Sequence, residues 1–153
     1  LGLGIGLTGL SAVQARGEGF DAIGASVEAL DRPDRRFRSV HVAGTKGKGS
    51  TAAMIEAILR AHGLRTGLYT SPHLVDLRER IQIERAPISR DAMRKATEEV
   101  ADAGDRALRE DRPTFFEMMT AIAFVAFAEA DIDLAVLEVG LGGRLDATNV
   151  VSP

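Results

Sequence analysis

Residues 42–51 bring together the residue types that a phosphate-binding loop needs, in the order Val-Ala-Gly-Thr-Lys-Gly-Lys-Gly-Ser-Thr. Glycines let backbone N–H groups curve around phosphate oxygens without a Cβ in the way, and a helix starting there adds its own unpaired N–H groups. Lys48 has the reach to contact the terminal phosphates, and a hydroxyl beside it could face a magnesium ion. The segment predicts a polyphosphate site; the alternative is a glycine-rich turn between strand and helix that binds no ligand.

The loop departs from the strict pattern G-x4-G-K-[S/T] twice, because Val42 stands at the first glycine position and Gly49 follows Lys48. A P-loop kinase or GTPase would ordinarily have Ser or Thr directly after this lysine. A GTPase would also carry an Asn-Lys-x-Asp motif, which is absent from the sequence. We therefore predict a variant loop and regard these two enzyme classes as the weaker alternatives.

Polar residues also follow or interrupt two further segments that look like strands. Ser71 and His73 come directly after residues 65–70. They could contact a metal, a phosphate or a substrate, or they could simply belong to a Ser-Pro turn. Glu138 lies within the apolar run 134–139, where an unpaired carboxylate would be costly to bury. Nucleotide-bound Mg²⁺ is a natural partner because hard cations prefer carboxylate oxygen; an ion pair with Arg or Lys is the alternative.

A second glycine-rich loop, residues 140–149, reads Gly-Leu-Gly-Gly-Arg-Leu-Asp-Ala-Thr-Asn. It carries Arg144 and Asp146 and follows directly on the apolar run that contains Glu138. This loop could approach a nucleotide phosphate or an acyl substrate.

Alternating strand and helix patterns surround these segments. The predicted strands are residues 39–43, 65–70, 81–83 and 134–139. The predicted helices are residues 19–30, 51–62 and 89–109, and the last of these is polar and solvent-facing. A fourth, buried helix follows a Thr-x-x-Glu capping box at residues 114–117 and ends near residue 130. This alternation predicts an α/β fold with an open, mostly parallel sheet and helices on both faces. The polar segments would then lie beyond the carboxyl ends of the strands, where such sheets place their sites.

The composition is that of an ordinary globular domain: 153 residues, 45% hydrophobic and 27% charged, with a formal net charge of −3. We expect no nucleic-acid partner, because the chain has no general basic field, and no disulfide or thiolate chemistry, because it has no Cys. The apolar start is seven residues long, too short to cross a membrane. We expect a cytoplasmic monomer. The chain does not begin with Met and ends just after a glycine-rich loop, so we also expect a fragment.

Five segments together resemble the folylpolyglutamate synthase/dihydrofolate synthase family of Mur-ligase-like, ATP-dependent amide ligases. They stand in the family's order and spacing from about residue 37 to the end. The segments are residues 41–51, 68–74, 79–81, 113–121 and 137–149.

The resemblance implies a reaction that joins the γ-carboxylate of a folate, or the carboxylate of dihydropteroate, to the amine of L-glutamate. ATP would first phosphorylate the carboxylate, because a carboxylate is a poor electrophile until one oxygen becomes a leaving group. The amine would then displace phosphate. Such a transfer needs cations and N–H donors around its charge-rich transition state.

The resemblance also implies roles for individual residues. The ATP loop would consist of Gly44, Thr45, Gly47, Lys48, Gly49, Ser50 and Thr51. Ser71 and Glu138 would bind Mg²⁺. The candidates for the catalytic centre are Lys48, Glu138 and His73, and those for the substrate pocket are Phe116, Glu117, Arg144 and Asp146. Phe116 could instead belong to the helix core, and Glu117 could be only a capping residue.

Two features set this chain apart from the family pattern. Lys46 stands where the family usually has Asn; the added cation could strengthen phosphate binding, point to solvent or disturb the loop. A further magnesium-binding His, a modified Lys and the C-terminal domain of the family are absent from the sequence. We therefore expect residues 37–153 to form a truncated ATP-binding domain, with residues 1–36 as a helical lead-in packed on it, and we expect the chain alone to be inactive. A nucleotide-binding relic and a Mur-type ligase for another acid are the alternatives.

Overall fold

The computed structural model of the protein describes residues 21–107 and 113–151. The glycine-rich start of the chain, the beginning of the first predicted helix and the end of the polar helix near residue 109 lie outside these ranges. No helix in the described part is long and apolar enough to cross a membrane.

Five strands and four helices make up the described fold, joined by three short 3₁₀ turns. The strands are β1 (Arg38–Val42), β2 (Thr66–Tyr69), β3 (Ile81–Ile83), β4 (Ala86–Pro87) and β5 (Leu134–Glu138). The helices are α1 (Asp21–Ala29), α2 (Lys48–Ala61), α3 (Arg90–Ala107) and α4 (Phe115–Glu129). The 3₁₀ turns are Pro33–Arg35, Leu77–Arg80 and Ala147–Val150.

The strands form one sheet in the order β1-β5-β2-β3-β4. β5 runs parallel to both neighbours, with Val42 opposite Glu138 and Tyr69 opposite Leu137. β3 and β4 add an antiparallel extension beside β2. The predicted α/β fold is confirmed, and its three parallel strands, β1, β5 and β2, end at the same edge of the sheet. The last strand in sequence thus lies between the first two, which brings three distant segments together.

Helices cover both faces of the sheet. On one face, α2 packs against all three parallel strands, around the buried side chains of Val42, Ala52, Leu68 and Val136. On the other face, α4 is buried along most of its length, and α1 and α3 pack against it. The continuous apolar sequence of α4 follows from this central position, because a helix with neighbours on every side has no polar face.

Local sequence signals mark where the helices begin and end. Thr114 and Glu117 form the predicted capping box of α4, and the Ser89 hydroxyl accepts a hydrogen bond from the Ala92 N–H before α3. Gly63 follows α2 in the left-handed region with φ 83°, where a glycine meets no Cβ penalty.

Two expectations about the helices need correction. The prediction that α2 begins at residue 51 is wrong: it begins at Lys48, so the lysine belongs to the first helical turn. Glycines weaken the helical pattern in this segment, which conceals the true start. The prediction of a solvent-facing α3 holds for one side of the helix only, since Ala96, Val100 and Ala103 on the other side are buried against α1 and α4. Small residues on a mostly charged helix give a weak sequence signal for a packed face.

A buried carboxylate ties α2 to the amino end of β2, away from the edge where the parallel strands end. Glu56 is fully buried and accepts hydrogen bonds from the Thr66 hydroxyl (2.7 Å) and from Arg60 Nε (3.2 Å). Arg85 Nε, from the turn between β3 and β4, lies 3.6 Å from its second oxygen. Burial of this charge is tolerated because cations and a hydroxyl surround it.

Gly67 of β2 leaves room for α4, and replacing it should destabilise the fold. A Cβ at Gly67 would lie 2.7 Å from Ile132 Cδ1 and 2.8 Å from the Phe127 ring. We expect Gly67→Ala to lower the free energy of unfolding by about 1–3 kcal/mol, as overpacking does in tight cores. Urea unfolding of the purified protein measures the change.

Gly104 supplies the matched control, because a Cβ there meets nothing within 4 Å and the residue lies inside α3. Gly104→Ala should stabilise the protein by about 0.5–1 kcal/mol. An unfolding midpoint for Gly67→Ala equal to that of the unaltered protein would contradict the close packing of α4 on β2.

Candidate functional site

Three loops meet at the carboxyl ends of the parallel strands, as predicted. Residues 43–47 connect β1 to α2, residues 70–76 follow β2, and residues 139–146 follow β5. Because β5 lies between β1 and β2, the end of β5 stands between the other two loops. This is the position that open α/β sheets use for ligands.

The glycine loop closes directly onto α2. Gly47 caps the helix with φ 73°, a left-handed conformation that glycine adopts without strain, and its carbonyl accepts the Thr51 N–H at 2.9 Å. Lys48 is half-buried in the first turn, whereas Thr45, Ser50 and Thr51 are exposed. The loop therefore presents a helix N-terminus, a lysine and hydroxyl groups at one place, which suits an anion with several oxygens. Gly44 and Lys46 are exposed in the same loop.

Glu138 joins the three loops. Its side chain is buried at the end of β5, and its Oε2 accepts a hydrogen bond from the Ser71 N–H at 2.9 Å. The same carboxylate lies against the first turn of α2, where a Cβ at Gly49 would be 3.3 Å from Oε2 and 3.4 Å from Oε1. The carboxylate thus lies between the Ser71 N–H and the positive end of the α2 dipole. Gly49 breaks the strict loop pattern because the carboxylate needs its space.

The donor set at this point fits a hard divalent cation. Glu138 offers a carboxylate, Ser71 a hydroxyl, and a bound polyphosphate would supply further oxygens, which Mg²⁺ prefers. Within residues 21–107 and 113–151, no group of three or more His, Cys, Asp or Glu side chains is placed to hold a metal. A cation here would therefore depend on the phosphate for much of its coordination, as Mg²⁺ bound with nucleotides commonly does.

The loop after β2 is held at both ends by carboxylates. Beyond the Ser71–Glu138 bond, the side chain of Glu79 accepts the backbone N–H groups of Leu74, Val75 and Asp76 at 2.8, 3.0 and 2.7 Å. These hydrogen bonds lower the pKa of Glu79, because they favour its charged form. The side chains of Leu74 and Val75 are held 91% exposed in consequence.

His73 lies between those two anchors and contacts the neighbouring helix through an arginine. Arg80 Nε donates a hydrogen bond to His73 Nδ1 at 2.9 Å. The Arg80 guanidinium is buried and lies 5.4 Å from the centre of the Phe115 ring, within the range of a cation–π contact. His73 is thus tied to the start of α4, and its Nδ1 is occupied as an acceptor.

Phe116 and Glu117 have neighbours that favour structural roles. The Phe116 ring is 6.0 Å from the Tyr69 ring and rests on Gly140, where a Cβ would approach Phe116 Cζ to 2.6 Å. Glu117 Oε2 accepts the Thr114 N–H at 2.7 Å as part of the capping box. Phe115, which the sequence did not single out as a substrate residue, is the more exposed of the two aromatic rings, at 56%.

The second glycine loop is folded around Asp146. This buried carboxylate accepts the N–H groups of Leu141 (2.9 Å) and Thr148 (3.0 Å) and the Thr148 hydroxyl. His41 Nε2 lies 2.7 Å from the same hydroxyl oxygen. Burial lowers the pKa of His41 and Asp146 partly offsets this, so the imidazole is neutral at neutral pH. Arg144 is exposed on the loop.

Sequence reasoning found the loops but missed the residues that hold them. Glu79, Arg80, His41 and Thr148 make hydrogen bonds with groups 2 to 107 positions away. Two of these had a local signal: the spacing of Asp76 and Glu79 matches a capping box, and Asp146 caps the short turn that contains Thr148. The contacts of Arg80 with His73 and of His41 with Thr148 follow no spacing rule, since the partners come from different elements.

Gly49→Ala should weaken binding of a Mg²⁺–nucleotide while leaving the fold intact. The added methyl group would displace the Glu138 carboxylate by a few tenths of an ångström and so disturb its hydrogen bond with the Ser71 N–H. Displacement of a metal-site carboxylate typically costs about 10–100-fold in metal affinity. Calorimetric titration with a non-hydrolysable ATP analogue and Mg²⁺ measures the loss. Gly24→Ala, where a Cβ meets nothing within 4 Å, is the control; equal affinities for both variants would refute the crowding argument.

The Glu79 contacts predict a pH dependence of the loop after β2. The folded state holds the Glu79 pKa below the ordinary 4.5, so the contribution of this carboxylate is present above pH 4.5. It is lost as the pH falls through the lowered value. The amide NMR signals of Leu74, Val75 and Asp76 should therefore stay constant at pH 5 and shift together at more acidic pH. Glu79→Gln should abolish that joint shift; a shift that persists would mean that another group controls the loop.

The chain resembles known proteins in both sequence and structure. No family model matches the chain. It is 51% identical over 115 residues to a probable bifunctional folylpolyglutamate synthase/dihydropteroate synthase of Halobacterium salinarum, covering 74% of this chain and 14% of that protein. It is 44% identical over 135 residues to the mitochondrial folylpolyglutamate synthase of Homo sapiens, covering 84% of this chain and 22% of that protein. The chain thus spans less than a quarter of the length of these curated relatives.

Solved structures agree with the sequence relatives. The crystal structure of a folylpolyglutamate synthase from Thermotoga maritima matches with a TM-score of 0.86 and 43% identity, over 96% of this chain and 36% of that one. A structure described as a complex of folylpolyglutamate synthase with AMPPCP and folate matches with a TM-score of 0.86 and 37% identity. The match covers 94% of this chain and 37% of that one. The predicted Mur-ligase-like fold is confirmed. Over the matched length, the chain belongs to the folylpolyglutamate synthase family.

Proposed function

We propose that the protein containing this chain is an ATP-dependent ligase that adds L-glutamate to the carboxylate of a folate or of dihydropteroate. The observation that carries the proposal is the contact of the buried Glu138 carboxylate with the Ser71 N–H and the first turn of α2. The carboxylate lies against the helical turn that contains Lys48 and the exposed hydroxyls of Ser50 and Thr51, which supports a role as an oxygen ligand. A solved relative is described as a complex with AMPPCP and folate, which supports ATP and a folate as two of the substrates.

The glycine loop would bind ATP. Backbone N–H groups of Gly47, Gly49 and the first turn of α2 would surround the phosphates, with Gly44 and Thr45 completing the loop. Lys48 would neutralise charge on the transferring phosphoryl group. Mg²⁺, held by Glu138 and Ser71, would supply further positive charge to the phosphate oxygens when bound.

The chemistry has two balanced steps. A carboxylate oxygen of the pterin substrate attacks the γ-phosphorus of ATP, the bond to the β–γ bridging oxygen breaks, and ADP leaves. The glutamate amine then attacks the acyl carbon, loses a proton and expels inorganic phosphate. Lys48 and the N–H groups of the glycine loop would stabilise the charge that develops in the first step.

The pterin side of the site would lie between the loop after β2 and the glycine loop after β5. His73, held by Arg80, and Arg144, exposed on the glycine loop that follows β5, would contact the substrate. Phe116 and Glu117 would shape the wall through Tyr69, Gly140 and the start of α4. Asp146 would act through the loop that it organises.

The organisation and location of the whole protein are part of the same proposal. Residues 37–153 would form most of the ATP-binding domain, and α1 would pack on it as a lead-in. The chain alone would lack ligase activity, and the complete protein would act as a cytoplasmic monomer. A relative named mitochondrial makes that compartment the alternative for the last point. Microscopy of the tagged protein distinguishes the two compartments.

An ADP-release assay on the full-length protein tests the proposal. Mg-ATP and L-glutamate are combined with dihydropteroate, with tetrahydrofolate or with neither. Release that requires both glutamate and a pterin acid would support the ligase, and the preferred acceptor would identify the substrate. ADP release that depends on neither glutamate nor the pterin acid would favour a ligase for another acid. Nucleotide binding without ADP release would favour a non-catalytic relic.

Lys48→Ala should lower turnover of the full-length protein by orders of magnitude, because it removes the cation nearest the transferring phosphate. The fold should be little affected, since Lys48 lies at the start of α2 and is not part of the hydrophobic core. Lys46→Ala in the adjacent loop is the matched control and should retain most activity. Near-normal turnover in Lys48→Ala would remove this lysine from the mechanism.

A further inference from the structure

We infer that His41, Thr148 and Asp146 form a chain of hydrogen bonds that holds the second glycine loop in place, with Thr148 as the positioning residue for Arg144. The catalytic consequence rests on the proposed function, whereas the hold on the loop does not. None of the sequence signals or comparisons assigns a role to His41 or Thr148.

The three residues come from different parts of the chain and meet in the interior. His41 lies in β1, one residue before its end, while Thr148 lies in the 3₁₀ turn that packs against α4 and α1. Thr148 is fully buried and Asp146 is 5% exposed. A buried hydroxyl and carboxylate are costly unless their hydrogen bonds are satisfied, so the loss of one member disturbs the others.

The direction of the hydrogen bonds follows from the number of protons available. A Thr hydroxyl has one proton, and here it donates to Asp146 Oδ1. The Thr148 oxygen must therefore accept from His41 Nε2, 2.7 Å away, so this nitrogen carries the proton. Thr148 is the only residue of the chain of bonds that contacts both of the others.

Asp146 transmits this hold to the loop. Its Oδ2 accepts the Leu141 N–H at 2.9 Å, and its own N–H donates to the Gly143 carbonyl at 2.9 Å. The Asn149 side chain donates to the Arg144 carbonyl at 3.1 Å. Residues 141–146 are therefore closed into a compact loop with the Arg144 side chain outside it. Since no bond reaches the Arg144 guanidinium from the described residues, its position depends on the loop.

The consequence for the reaction is one of geometry. His41 precedes the ATP loop on β1, and the loop with Arg144 follows Glu138 on β5, so Thr148 connects the two sides of the site. A reacting group displaced by about 1 Å can cost on the order of 100-fold in rate. Thr148 thus acts on the reaction without contacting the substrate.

The first test measures the hold on the loop by limited trypsin digestion of the full-length protein. Mass spectrometry follows cleavage of the bond after Arg144. We expect Thr148→Val, which keeps the shape but removes the hydroxyl, to accelerate this cleavage several-fold by raising the open population of the loop. Thr148→Ser should restore the rate of the unaltered protein. His41→Phe, which removes the donor at the other end of the chain of bonds, should also accelerate cleavage.

Thr66→Val is the matched control. Thr66 is also a fully buried threonine whose hydroxyl donates to a carboxylate, Glu56, but it lies at the amino end of β2. It should lower global stability without accelerating cleavage after Arg144. An unchanged rate in Thr148→Val, or an equal acceleration in Thr66→Val, would overturn the inference.

The second test is a double-mutant cycle of Thr148→Val and Arg144→Ala on ligase turnover. If Thr148 acts through Arg144, Thr148→Val should lower kcat roughly tenfold when Arg144 is present. The same substitution should have little effect on kcat in the Arg144→Ala background. The KM for ATP should stay unchanged in Thr148→Val. If the effects of the two substitutions on kcat are additive, Thr148 does not act through Arg144 and its positioning role is overturned. If the unaltered protein fails to couple ADP release to glutamate and a pterin acid, the proposed function fails, and the digestion still decides whether these bonds hold the loop.

Discussion

The arrangement of this site depends on one buried carboxylate, Glu138. A charge taken out of water at the end of a central strand needs compensation, and the described structure supplies it from two sides. The Ser71 N–H donates to it, and the first turn of α2 presents its positive end. Because β5 lies between β1 and β2, a single side chain can reach both neighbouring loops. The loops are thereby fixed relative to each other by the protein's own side chains.

Carboxylates recur as the groups that organise loop backbone around the site. Glu79 holds three successive N–H groups after β2, Asp146 closes the glycine loop after β5, and Glu117 caps α4. Each accepts N–H groups that have no partner in a strand or helix, so the backbone is satisfied without regular structure. Loops built in this way can be specific in shape and yet lie open at the edge of the sheet.

The sequence was most informative where chemistry and local order coincide. The glycines around Lys48 and the capping box at Thr114 are contiguous patterns, and their positions were predicted within a few residues. The strand that contains Glu138 was visible as an apolar run interrupted by a charge. The antiparallel addition of β3 and β4 could not be seen, because short strands carry no signal for direction.

Contacts between side chains on different strands and loops could not be predicted from local sequence patterns. Nothing in the spacing of His41 and Thr148, 107 positions apart, indicates that they meet. Local pattern also does not show which of the adjacent residues Phe115 and Phe116 is packed inside, since neighbours at a helix start differ only in the element that they face. Tertiary packing decided that Phe116 rests on Gly140 and Phe115 faces Arg80. Such choices are set by the arrangement of elements.

The missing side chain at Gly49 separates two solutions to the same binding problem. In the strict phosphate loop, the residue after the lysine carries a hydroxyl for the metal. Here a carboxylate from β5 borders that position, and a Cβ there would press on it at 3.3 Å. A side chain after the lysine would therefore be favoured only together with an adjustment of Glu138. The identity of one loop residue is thus linked to that of a residue on another strand, although the polyphosphate that either kind of loop suits is the same.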